Sequence, residues 1–102
     1  MLLAEISLFP LDRGVSLSPY VAKCLDVIDQ SGLDYQCHAM GTLLEGEYDD
    51  VMAVVKRCFE RLASDCQRVE CTMKLDYRKG RSGALRSKVA SVEEKLGRAL
   101  KK

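Results

Sequence analysis

A chain of 102 residues, 47% hydrophobic and 30% charged, reads as one domain over residues 1–102 with enough apolar content for a core. Sixteen basic against fifteen acidic residues leave a formal charge of +1, which argues against nucleic acid or an anionic membrane as the main partner. No apolar run approaches the ~20 residues that cross a bilayer, and Met1-Leu2-Leu3-Ala4-Glu5 has no basic leader and meets an acid at once, unlike a signal peptide.

The first strand is expected over residues 3–10. Ala4, Ile6 and Leu8 alternate there with Glu5, Ser7 and Phe9, and Pro10, which has no N–H, ends the run. After the loop 11–16, Ser18 is a good N-cap with Pro19 as the first helical residue, and Ser31-Gly32 closes that helix. A second strand at 33–40 and a third at 42–47 flank Gly41, read as the permissive residue of a tight turn. Gly46 eases the exit to a second helix, which has Asp49 and Asp50 in its first turn, where the helix dipole favours negative charge, and which runs to residue 63 or 64. The two helices share one apolar stencil: Leu17, Val21, Cys24, Leu25 and Ile28 recur in register as Val51, Val55, Cys58, Phe59 and Leu62. A fourth strand over 68–77 alternates Val69, Cys71, Met73 and Leu75 with Glu70, Thr72, Lys74 and Asp76. The turn 78–83 leads to a third helix striped by Leu85, Val89, Val92, Leu96 and Leu100.

Two right-handed β-α-β crossovers interleaved through a central hairpin give an α+β fold, the ferredoxin-like βαββαβ sandwich. Here it has a four-stranded antiparallel sheet, two helices on one face and an added C-terminal helix. On the uncovered face Glu5, Ser7, Thr72 and Lys74 should lie close together, with Phe9 near their edge. That face is either solvated, a subunit contact or a ligand site, since a half-buried sheet alternates in the same way in each case. The third helix's stripe has no covered face left to fill. It must pack at an edge, on the open face or against a neighbouring subunit, so a homo-oligomer is expected.

The five cysteines, Cys24, Cys37, Cys58, Cys66 and Cys71, are odd in number and none has C-x-x-C spacing. They read as reduced thiols in a cytosol-like compartment. No metal site is expected, because His38 is the sole histidine and Cys37 and His38 point to opposite faces of a strand. The basic cluster Arg78, Lys79, Arg81, Arg86 and Lys88 fits a solvated loop and helix start. The first strand–helix loop lacks the thiol pair of copper chaperones and, beyond Arg13-Gly14, the anion loop of acylphosphatases. The third strand lacks the stacking aromatics of RNA-binding modules. No serine or cysteine has a histidine base in register, so no catalytic residue is assigned. An acid–base site using Glu45 and His38 is the weak enzymatic alternative, with Glu5 and Glu45 able to face one another across neighbouring strands and Lys74 a candidate ion-pair partner of Glu5.

Met40-Gly41-Thr42-Leu43-Leu44-Glu45-Gly46 combines a tight hairpin, an exposed hydroxyl and a carboxylate. Together with Ala4-Glu5-Ile6-Ser7-Leu8-Phe9-Pro10-Leu11, Ser18-Pro19-Tyr20-Val21, Arg68-Val69, Lys74-Leu75-Asp76-Tyr77-Arg78 and Lys88-Val89-Ala90-Ser91-Val92-Glu93, it resembles the small thiamine-binding protein family over residues 4–96. The resemblance implies a ferredoxin-like subunit that associates through its sheets into dimers and tetramers, and a ligand, thiamine or its hydroxymethylpyrimidine portion, bound without chemistry and with no cofactor. On that reading Thr42 would hydrogen-bond the pyrimidine, and Glu45 or Glu5 would balance the thiazolium charge. Ser7 and Thr72 would add hydrogen bonds, and Tyr35 or Phe9 would pack on a ring. The competing reading is a structural or regulatory oligomer of the same fold with no small ligand.

Overall fold

A computed structural model describes all 102 residues. The elements run β1 (Leu2–Pro10), α1 (Ser18–Gln30), β2 (Asp34–His38), β3 (Gly41–Gly46), α2 (Tyr48–Ala63), β4 (Val69–Tyr77) and α3 (Ala84–Leu96). The strands form one antiparallel sheet in the order β2-β3-β1-β4, the expected α+β sandwich with its extra helix. No helix is long and apolar enough to cross a membrane.

Alternation fixes the two faces. Leu2, Ala4, Ile6 and Leu8 of β1 and Leu44 of β3 are buried under α1 and α2, which contribute Cys24 and Ile28, and Val51, Val54, Val55, Cys58 and Leu62. Most of the repeated stencil is thus the inner stripe of the two helices, but Val21 and Phe59 lie at its exposed margin and Leu17 precedes α1 as its N-cap. Gly46 lets α2 and the segment joining α1 to β2 close on the sheet, because a Cβ there would stand 3.1 Å from Leu33 Cδ2 and 3.5 Å from Val51 Cγ2.

Three local expectations are corrected. Leu17, not Ser18, is the N-cap of α1, and no side chain caps it. Leu17 already has near-helical dihedrals, and its carbonyl accepts from the N–H groups of Tyr20 (3.0 Å) and Val21 (3.1 Å), so the helix starts one residue early. Strand β2 stops at His38, and Ala39 and Met40 make the turn, where the Met40 N–H donates to His38 Nδ1 at 3.3 Å. Gly41 has no positive φ. It opens β3, and its missing side chain serves close packing, since a Cβ would lie 2.7 Å from the Ile6 carbonyl oxygen.

Of its apolar residues, helix α3 buries only those of its first turn. Ala84 and Leu85 are buried, whereas Val89, Val92 and Leu96 remain 37%, 49% and 49% exposed. The molecule measures 47 Å along its longest axis against 29 and 21 Å across. The radius of gyration, 14.9 Å, exceeds the roughly 13 Å of a compact chain of this length.

Candidate functional site

The strands of the central pair differ in length, and this difference creates a site. Pairing between β1 and β3 ends at Ile6↔Thr42, while β1 continues to Pro10 against β4 alone. The Ile6 carbonyl turns toward β3, so Leu8, two residues on, turns its N–H and C=O to the same side, where β3 has ended. No backbone hydrogen bond outside the regular elements reaches Leu8. Between this bare edge, the hairpin tip at Ala39-Met40 and the flank of α1 lies a cavity of about 320 Å³. Leu17, the N-cap of α1, with Val21, Cys24 and Leu25 of the helix give it an apolar wall. Its polar lining comes from both faces of the sheet: Thr42 and Cys37 from the helix side, and Ser7 and His38 from the open side.

The predicted site residues separate on this geometry. Thr42, expected as an exposed hydroxyl, is 7% exposed. It shares the helix-covered face with its cross-strand partners Ile6 and Cys37 and borders the cavity. Ser7 borders the same cavity, and Thr72 stands opposite Ser7 on the open face. Glu5 lies one step along that face, directly across from Lys74, yet its carboxylate meets the His38 ring instead, Nε2 to Oε2 at 3.5 Å. Tyr35 is on the helix side and its hydroxyl donates to Asp29 Oδ1 at 2.7 Å. The phenol therefore faces the end of α1, and the neighbouring carboxylate holds its pKa above the usual tyrosine range.

Glu45 has a different employment. It shares the open face with Glu5, but it is 5% exposed beneath α3, where its Oε2 accepts from the Ala84 N–H at 2.6 Å and its Oε1 from the Leu85 N–H at 3.5 Å. It caps α3 across the fold, because the N-cap of that helix is Gly83, which has no side chain to do so. The basic cluster is partly neutralised in the same region: Arg81 and Lys88 both pair with Asp76, and Arg86 pairs with Asp34. Lys88 and then Arg81 hold the Asp76 carboxyl below its ordinary range.

What residue-by-residue reading missed is the cavity itself. Its walls come from the apolar stripe of α1, and its free polar edge belongs to the backbone of Leu8, which no side-chain motif records. The available signal was the nine residues of β1 against six in β3. No three His, Cys, Asp or Glu side chains converge as a metal site would require.

A family model for thiamine-binding proteins matches residues 4–93. The chain belongs to the thiamine-binding protein family. The UPF0045 protein MJ1052 of Methanocaldococcus jannaschii is 34% identical over 91 residues, covering 89% of this chain and 91% of its own. A UPF0045 protein of Methanothermobacter thermautotrophicus is 39% identical over 99 residues, covering 94% of this chain and all of its own. A crystal structure of MJ1052 superposes with a TM-score of 0.84 at 33% identity, covering 91% of this chain and 96% of that one. The fold is also that of a Thermotoga maritima protein described as a proposed thiamine biosynthesis or salvage protein, with a TM-score of 0.77 at 22% identity over 89% of this chain and 97% of that one.

Proposed function

We propose that this member of the thiamine-binding family is a cytoplasmic, non-catalytic binder of thiamine or a related aminopyrimidine, working as a homodimer or homotetramer. The observation that carries the reading is the cavity where β1 runs past β3. Its 320 Å³ falls at the lower end of the ~300–1,000 Å³ typical of small-ligand sites. An aminopyrimidine presents an amine donor beside a ring-nitrogen acceptor, and the bare Leu8 N–H and C=O offer the complementary pair. The Thr42 hydroxyl adds a donor and acceptor at the wall, and the α1 side chains cover the ring faces. Ser7 borders the open-face side, and Glu5, held beside His38, supplies the negative charge a thiazolium would need there. Thr72, next to Ser7, would contact the part of the ligand that emerges. A neighbouring subunit on the open sheet face would close that mouth, placing the ligand at a subunit interface. The exposed stripe Val89, Val92 and Leu96 favours such association.

Calorimetric titration with thiamine and with hydroxymethylpyrimidine tests the reading. Thr42→Val keeps the shape and removes the hydroxyl, and should weaken binding about tenfold, the worth of one hydrogen bond of roughly 1.4 kcal/mol. The absence of both heat and thermal stabilisation at millimolar ligand would refute binding.

A further inference from the structure

The repeated stencil of the two helices puts a cysteine at the same place in each: Cys24 on α1 and Cys58 on α2, 34 positions apart. The near-symmetry of the two crossovers turns these equivalent positions toward one another where the helices pack. The Cys24 thiol donates to the Cys58 carbonyl at 4.0 Å, and the Cys58 thiol donates to the Cys24 carbonyl at 3.6 Å. Each sulfur therefore lies against the other residue's backbone. All five cysteines are free, but no other pair is arranged in this reciprocal way. Cys58 has no exposed surface, whereas Cys24 also borders the 320 Å³ cavity, so a small reagent entering the cavity meets one member of the pair.

The geometry points to Cys24 and Cys58 as an oxidisable dithiol that closes into a disulfide between α1 and α2 when a hydroperoxide enters the cavity. One sulfur attacks the peroxide as a thiolate. The O–O bond breaks, an alcohol or water leaves, and a sulfenic acid forms. The second sulfur displaces hydroxide from that sulfenic acid, the S–S bond forms, and water leaves with the second proton. In sum, two thiols are oxidised and one peroxide is reduced. The neighbouring Cys58 side chain and burial push the Cys24 thiol up, so the attack draws on a small thiolate population and is slow.

The bridge would fasten α1 to α2 and draw the Cys24 sulfur away from the cavity wall, making the cavity's shape depend on redox state whatever it binds. Hydrogen peroxide treatment of the purified chain, followed by intact mass and non-reducing peptide mapping, decides the matter. The expected result is loss of two hydrogens, with the peptides containing Cys24 and Cys58 linked within one chain. The melting temperature of the oxidised form should rise by about 5 °C or more. Cys24→Ala and Cys58→Ala should each abolish that bridge, and the wild-type map stands alone if either variant fails to fold. A bridge through Cys37, Cys66 or Cys71, linkage only between chains, oxidation without any bridge, or no oxidation would each overturn the proposal.

Discussion

Removing the Glu45 carboxylate should release α3 and leave the sandwich folded. Gly83 cannot cap the helix, so the first N–H groups of α3 depend on Glu45, through the 2.6 Å contact to Ala84 and the longer one to Leu85. A charge-assisted hydrogen bond of this kind contributes about 1.5–3 kcal/mol, and its loss leaves a donor unmet beneath the helix. Only the first turn of α3 is buried, so the cost cannot much exceed what that docking supplies. Glu45→Ala is therefore expected to cost about 2 kcal/mol, or roughly 10 °C in melting temperature for a domain of this size. Glu45→Gln keeps an acceptor and should cost about half as much. Urea denaturation gives the global figure. Amide hydrogen exchange at Ala84, Leu85 and the rest of α3 shows whether the loss is local, with protection falling there before it falls in β1. A Glu45→Ala protein with unchanged α3 protection and an unchanged melting temperature would refute the capping role. If thiamine binding vanished in that same protein, the carboxylate would belong to the ligand site after all.

Gly41→Ala should separate the hairpin from β1, because the added Cβ meets a backbone oxygen at 2.7 Å, which cannot rotate away. A loss of about 1–3 kcal/mol in chemical denaturation is expected, together with weaker thiamine binding, and a wild-type-like protein would show that the strand contact is soft. Acid should destabilise the fold through four carboxylates held low: Asp12 by the Gln67 N–H, Asp65 by Lys23, Asp76 by Lys88, and Glu93 by Lys102. Each folded pKa lies below its unfolded value, so the stabilisation is present at neutral pH and is lost as pH falls below about 4. Lys88→Met should flatten the share of that pH dependence that belongs to Asp76, and an unchanged acid-unfolding profile would count against it. Val92→Asp on the exposed face of α3 should shift light-scattering mass toward 11.4 kDa if that stripe joins subunits. An unaltered oligomer would place the contact elsewhere.

The parts of this molecule that were legible in its sequence are those set by period. Alternation in residues 4–9 and 69–76 gave the faces of β1 and β4, and the doubled stencil gave the inner stripes of α1 and α2. A short motif misleads where its period is ignored. Thr42 and Glu45, grouped as one polar hairpin, are three positions apart on a strand and so must point to opposite faces. One of them borders the cavity on the helix side and the other caps α3 from the open side. Gly41 carried a turn residue's chemistry but answers to the Ile6 carbonyl of a strand far away in sequence. The docking of α3 was undetermined for a similar reason: its stripe says only that something must cover it, while the group that anchors it, Glu45, lies 39 positions upstream. The cavity has its cause in strand length. A nine-residue strand paired to a six-residue one must leave backbone donors and acceptors bare at one end. An edge flanked by an apolar helix leaves those groups to a ligand that matches them.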